Sequence, residues 1–236
     1  MRALLLSASR AGDTPYLSHA LPFIDRHLAG DERELLFVPF AGVTISWDDY
    51  TAKVAEALAP LAISVKGLHQ YPDPAQALAH AKAIAVGGGN TFRLLSELYQ
   101  QQLLQPLQAA VSQGTPYMGW SAGANLAGKS IRTTNDMPII HPPSFDALAL
   151  VPFQINPHYS NATLPGHNGE SRQDRLSEFL TLNPQEKVVC LPEGTALYRH
   201  GEQLTLLGEH EALLMTQPQI EILTPGQDLA WLLSGH

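Results

Sequence analysis

The stretch Pro116-Tyr117-Met118-Gly119-Trp120-Ser121-Ala122-Gly123-Ala124-Asn125-Leu126-Ala127 decides the fold. Its first five residues read as a buried strand and Ala122 to Ala127 open a helix, so Ser121 falls on the turn between them. The centre, Gly119-Trp120-Ser121-Ala122-Gly123, has the Gly-x-Ser-x-Gly spacing. That spacing is common in itself and takes its meaning from the strand-turn-helix setting. A serine held in a strained backbone conformation at the carboxyl end of a strand needs small neighbours, so that the two arms of the turn can approach. Gly119, Ala122 and Gly123 meet that demand. The helix amino terminus then aims amide dipoles at the hydroxyl. The expected chemistry is nucleophilic attack by Ser121.

Working outward, short apolar runs at Ala3–Leu6, Leu35–Phe40, Ile63–Leu68, Ala83–Val86 and Tyr117–Trp120 alternate with helix-period segments. Those segments are Tyr16–Leu28, Asp48–Leu58, Pro74–Ala81 and Thr91–Gln113, with Asp48 as the expected N-cap and Pro60 closing its helix. Alternation of this kind predicts an α/β fold, a mostly parallel sheet with helices on both faces. From residue 131 to 169 the periodicity stops, and six prolines with many Asn, His and Thr predict a long functional loop. A strand at Phe153–Ile155 interrupts that region. A helix at Ser171–Leu180, a strand at Val188–Leu191 and short strands at Thr195–Arg199 and Gln203–Leu207 follow, the last two forming a short antiparallel C-terminal extension. No linker divides the chain, so residues 1–236 are expected to form one catalytic domain.

Composition narrows the function. The 236 residues are 44% hydrophobic and 15% charged, with a formal charge of −8, and the nine Arg and five Lys are scattered singly. No basic patch exists for nucleic acid. The opening run Ala3-Leu4-Leu5-Leu6 is too short for a secretory core, and no run is long enough to span a bilayer. One cysteine, Cys190, leaves neither an intramolecular disulfide nor a cysteine metal cage, which points to the reducing cytoplasm.

A hydroxyl nucleophile needs a base, and the base an orienting group. Of ten histidines, those at 19, 27, 69 and 80 read as solvated residues of helices or their edges. His158 ends the strand Phe153–Ile155 inside the polar region and is the expected base, with His141 and His167 as runners-up. Two carboxylates compete for the third place. Glu193 follows the strand Val188–Leu191 and is favoured, because parallel-sheet folds gather active residues at strand carboxyl ends; Asp136 is kept beside it, with binding the substrate amine as its other use. Gly87-Gly88-Gly89-Asn90 leaves backbone amides uncovered after a strand. With a nucleophile nearby this suits an oxyanion hole formed by the amides of Gly89 and Ala122.

Several stretches taken together resemble peptidase E, the α-aspartyl dipeptidases that cleave dipeptides after an amino-terminal aspartate. They are Val38-Pro39-Phe40-Ala41-Gly42-Val43-Thr44, Val86-Gly87-Gly88-Gly89-Asn90-Thr91-Phe92, Gly119 to Leu126, Ile131-Arg132-Thr133-Thr134-Asn135-Asp136-Met137-Pro138-Ile139, and Gln154-Ile155-Asn156-Pro157-His158. The resemblance implies a fold similar to class I glutamine amidotransferases, Ser121 as nucleophile and His158 as base, with Asp136 or Glu193 as the acid. It also implies that Arg172 pairs with the substrate's aspartate side chain, where a planar fork suits a carboxylate. Asp-X dipeptides are the expected partner, with no cofactor and no metal. Two other readings compete. An esterase of the α/β-hydrolase fold is disfavoured because its order is Ser, acid, His, whereas here Glu193 follows His158. A non-catalytic, flavodoxin-like module would use Gly87–Asn90 as an anion cradle.

Overall fold

The computed structural model of the chain describes residues 1–29, 33–162, 166 and 168–234. A seven-stranded sheet runs through it, built from β1 (Arg2–Leu6), β2 (Glu34–Val38), β3 (Ser64–Gly67), β4 (Ala83–Val86), β5 (Tyr117–Trp120), β8 (Ala196–His200) and β9 (Gln203–Leu207). The order is β3-β2-β4-β5-β1-β8-β9. The first five strands are parallel, and β8 and β9 add antiparallel at one edge. Position in the sheet follows from sequence: β4 and β5 are buried at every residue and lie in the interior, whereas β3 and β9 carry exposed or half-exposed polar positions and lie at the edges.

Strand alternation divides the core in two. Leu4, Leu6, Phe37 and Trp120 face one side, against Ile24 of α1 (Leu21–His27) and Val54 and Leu58 of α2 (Trp47–Leu58). Leu5, Ile84, Val86 and Tyr117 face the other, against α4 (Thr91–Gln100), α5 (Leu104–Ser112) and α6 (Ala122–Leu126). Between α2 and β4 lies α3 (Pro74–Ala79).

A second sheet holds β6 (Gln154–Asn156), β7 (Val188–Cys190), β10 (Ala212–Met215) and β11 (Ile220–Leu223), in the order β11-β10-β7-β6. Here β6 and β7 are parallel, with Asn156 opposite Cys190, while β10 is antiparallel to its neighbours. The last α-helix, α7 (Arg172–Leu182), lies between β6 and β7 in the chain.

The structure departs from the expected elements at three points. The predicted helix Thr91–Gln113 is two helices, α4 and α5. The cap of α2 is Ser46, whose side chain accepts from the Asp49 amide, rather than Asp48; Asp48 instead takes hydrogen bonds from His69 and Gln70, at 2.9 and 2.8 Å, and these hold its carboxyl below the usual range. β10 and β11 lie outside the elements named from the sequence, whereas β8 and β9 are the expected antiparallel extension and continue the edge of the main sheet.

Candidate active site

The carboxyl ends of β1, β4 and β5 open on the same edge of the sheet, because the strands are parallel. Ser121 leaves β5 with φ 54° and ψ −112°, a region that L-residues occupy only under constraint. The constraint comes from both sides. The Ser121 amide donates to the Leu6 carbonyl at 3.1 Å, and its carbonyl accepts from the Ala124 and Asn125 amides at 3.0 and 2.9 Å. Gly123 passes so near β4 that a Cβ there would stand 2.1 Å from the Val86 carbonyl oxygen, so no other residue fits this turn. The Tyr117 hydroxyl then donates to the Gly123 carbonyl at 2.6 Å and ties strand to helix.

Ser121 Oγ lies 2.8 Å from His158 Nε2, and His158 Nδ1 lies 2.7 Å from Glu193 Oε1. The second sheet makes this alignment. His158 stands two residues beyond β6 and Glu193 three beyond β7, and the parallel pairing of those strands brings both ends to one place. Pairing continues past the strands, with the Tyr159 amide donating to Leu191 at 2.9 Å. Ser7, fully buried just beyond β1, joins the two sheets here: its Oγ accepts from the His158 amide at 2.9 Å and donates to the Leu191 carbonyl at 2.7 Å. His158 itself has φ 52°.

Asp136 is engaged elsewhere. Its Oδ2 accepts from the Thr91 amide at 2.7 Å, the Thr91 hydroxyl at 2.5 Å and the Thr134 hydroxyl at 3.2 Å. A carboxylate at the first amide of α4 is favoured by the helix dipole, and this one fastens the polar loop to the sheet. The same loop buttresses the strand bearing His158. Asn125 and Thr133 both donate to the Ile155 carbonyl, at 2.6 and 2.9 Å. Asn156 Nδ2 donates to the Thr133 carbonyl and to Asn135 Oδ1, and Asn135 Nδ2 donates to the Pro157 carbonyl at 2.7 Å.

Gly88 comes so close to the serine that a Cβ on it would meet Ser121 Cβ at 3.0 Å. Gly89 has φ +136° and lies against the Ala41 carbonyl. Among the described residues, the amides of Gly89 and Ala122 have no hydrogen-bond acceptor. Ser121 and His158 open into a cleft of about 550 Å³, bordered also by Gly89, Tyr16, Lys53 and Ile139. That volume is ordinary for a small-molecule site.

Arg172, the first residue of α7, is not on the wall of that cleft. Its charge acts on the Tyr159 hydroxyl and the Cys190 thiol. Burial lowers its own pKa, and its Nη1 is buried without a partner among the described residues. The other histidines divide. His141 packs its ring on Phe145, with centroids 5.7 Å apart, and His167 lies outside the described residues. The solvated reading of His27 is wrong: it is fully buried against Tyr198. His19 is also no free surface group, since both its ring nitrogens are buried and the Glu193 charge reaches it. Ser7 escaped sequence reading, although a hydroxyl directly after a buried strand of a parallel sheet is a signal worth following. Among the described residues no cluster of three or more His, Cys, Asp or Glu is placed to hold a metal ion, and no helix is long and apolar enough to cross a membrane.

A parallel α/β sheet that ends a strand in a strained serine, with an imidazole and then a carboxylate in line behind the hydroxyl, is the layout of a serine-type hydrolase. The chain belongs to peptidase family S51, whose model matches residues 3–207, and it is accordingly a serine-type peptidase. It is 55% identical over 234 residues to the Peptidase E proteins of Shewanella putrefaciens and Shewanella oneidensis, covering 99% of this chain and of each relative. Among solved structures it is similar to a peptidase from an acI-B1 Actinobacterium, with a TM-score of 0.73 at 17% identity, covering 97% of this chain and 96% of that one. At that identity the likeness speaks for the fold.

Proposed function

We propose that this peptidase is a dipeptidase that hydrolyses Asp-X dipeptides through an acyl-enzyme on Ser121, with residues 1–236 acting as one catalytic domain. The observation that carries the reading is the relay Ser121 Oγ, His158 Nε2, His158 Nδ1 and Glu193 Oε1, with contacts of 2.8 and 2.7 Å. In this reading His158 removes the hydroxyl proton as Ser121 attacks the carbonyl after the amino-terminal Asp, and then returns that proton to the leaving amine. Glu193 holds the Nδ1–H tautomer and stabilises the imidazolium. The amides of Gly89 and Ala122 receive the oxyanion, a contribution of about 3 to 4 kcal/mol per donor. Water then releases aspartate by the same base.

The Peptidase E relatives support the substrate class, and Arg172, which lies off the wall of the cleft but has a buried Nη1 without a partner among the described residues, is assigned to the aspartate side chain. Asp136 is assigned the structural work of anchoring the loop. The lone cysteine, Cys190, is buried and unpaired, which suits a cytoplasmic enzyme. Ser121→Ala is expected to lower Asp-Leu hydrolysis by at least about 10⁴-fold while leaving thermal unfolding intact; full turnover by that variant overturns the mechanism. A panel of Asp-Leu, Asn-Leu, Glu-Leu, isoaspartyl-Leu and Ala-Leu tests the substrate, and equal rates for Asp-Leu and Ala-Leu would remove Arg172 from its role.

A further inference from the structure

The cleft beside Ser121 carries a cation that the roles above leave unused. Lys53, exposed on α2, lines this cleft and holds its Nζ 4.4 Å from the centre of the Tyr16 ring. That ring is a fixed platform. Its hydroxyl donates to Tyr50 Oη at 3.2 Å, the Tyr50 hydroxyl donates to the Gly88 carbonyl at 2.9 Å, and the ring meets Trp120 edge-on with centroids 6.3 Å apart. The wall beneath the ammonium therefore ends at Gly88 and Trp120, the two residues that flank Ser121. An ammonium over a ring face is attracted by the ring yet keeps N–H donors for a ligand.

Among the described residues Lys53 makes no ion pair, whereas Lys82 and Lys129 each hold a carboxylate at 2.8 Å. In a chain of net charge −8, a cation on the wall of this cleft without a carboxylate partner places a positive potential where anions enter.

An Asp-X dipeptide carries two carboxylates, and Arg172 accounts for only the one on the aspartate side chain. We infer that Lys53 is the subsite for the α-carboxylate of the leaving residue, and that this contact favours dipeptides over longer chains. The inference rests on the dipeptidase reading above and deepens it. A lysine suits the task, because a compact charge on a flexible stem can follow a carboxylate whose position shifts with the size of the leaving residue.

The test compares Asp-Leu with Asp-Leu amide, which differ only in that carboxylate. The wild type is expected to favour the acid by about 10- to 100-fold in kcat/KM, the usual scale of a charged hydrogen bond, with the difference falling mainly in KM. Lys53→Met should bring the ratio close to one, and Lys53→Arg should keep most of it. A wild type that cleaves acid and amide equally, or a Lys53→Met variant that keeps the full preference, overturns the subsite while leaving the Asp-X reading in place. Absence of turnover of both substrates by the wild type overturns the Asp-X reading and the subsite with it.

Discussion

At the scale of single residues, Asp136 and Glu193 are told apart by their partners. Glu193 touches an imidazole nitrogen and Asp136 touches the first amide of a helix, so their removal should fail in different ways. Glu193→Gln keeps shape and loses charge; it should lower kcat by about 10²- to 10⁴-fold by releasing the imidazole tautomer and leaving the imidazolium unsupported, with little change in melting temperature. Asp136→Asn should instead cost about 1 to 3 kcal/mol of stability, because it weakens charge-assisted bonds to Thr91, and should affect kcat less. Urea unfolding measured beside steady-state kinetics on both variants separates the two patterns. The same contrast explains why Ser7 matters without touching substrate: its hydroxyl is the buried joint between β1, the backbone of His158 and Leu191.

At the scale of elements, the junction of α4 and α5 shows how a helix boundary escapes periodicity. Gln102 has φ 57°; the Leu103 amide reaches back to Leu98 at 2.7 Å and the Gln102 amide to Tyr99 at 3.0 Å. That is a Schellman ending, usually marked by glycine. Here glutamine occupies the left-handed position, and burial of Leu103 holds it there. Nothing in the apolar spacing from Thr91 to Gln113 announces the break. Gln102→Gly should therefore stabilise the protein by about 0.5 to 1 kcal/mol, relieving a left-handed residue at an exposed site, read as a rise in urea midpoint. Gly123→Ala should do the opposite. Its Cβ would press on the Val86 carbonyl, and the loss should exceed about 2 kcal/mol, with the serine turn displaced and activity falling alongside stability.

At the scale of the whole molecule, the pH dependence of folding is set partly by a residue far from the cleft. His27 is buried between α1 and the sheet, and burial, with a smaller push from Arg2, lowers its pKa to about 3. Its folded pKa lies below the unfolded value of about 6.5. Stability is therefore fully present above about pH 6.5 and is lost as pH falls toward 3, where the unfolded chain takes up a proton that the folded one refuses. By pH 4.5 the loss from this one residue should be about 2 to 3 kcal/mol. His27→Phe should flatten that part of the stability curve, measured by urea titrations at pH 7 and 4.5; an unchanged slope would show that the ring is charged or hydrated in the fold. The two sheets also meet at whole-molecule scale, since His158 and Glu193 ride on the second sheet and Ser121 on the first.

The sequence by itself determined the parallel core, the helices on both faces and the strained turn at Ser121, because each is encoded within a few neighbouring residues: runs of buried apolar residues, helical spacing, and glycines where backbones touch. It also narrowed the serine's partners to a favoured histidine, His158, with two runners-up, and to two carboxylates. Only the tertiary structure decided which carboxylate meets His158. That contact depends on β6 pairing with β7 across more than thirty residues of chain, and on Thr91 drawing Asp136 to a helix terminus. The burial of His27 and the placement of Lys53 on the cleft wall are of the same kind. A side chain's charge and surroundings are set by elements distant in sequence, and local spacing carries no record of them.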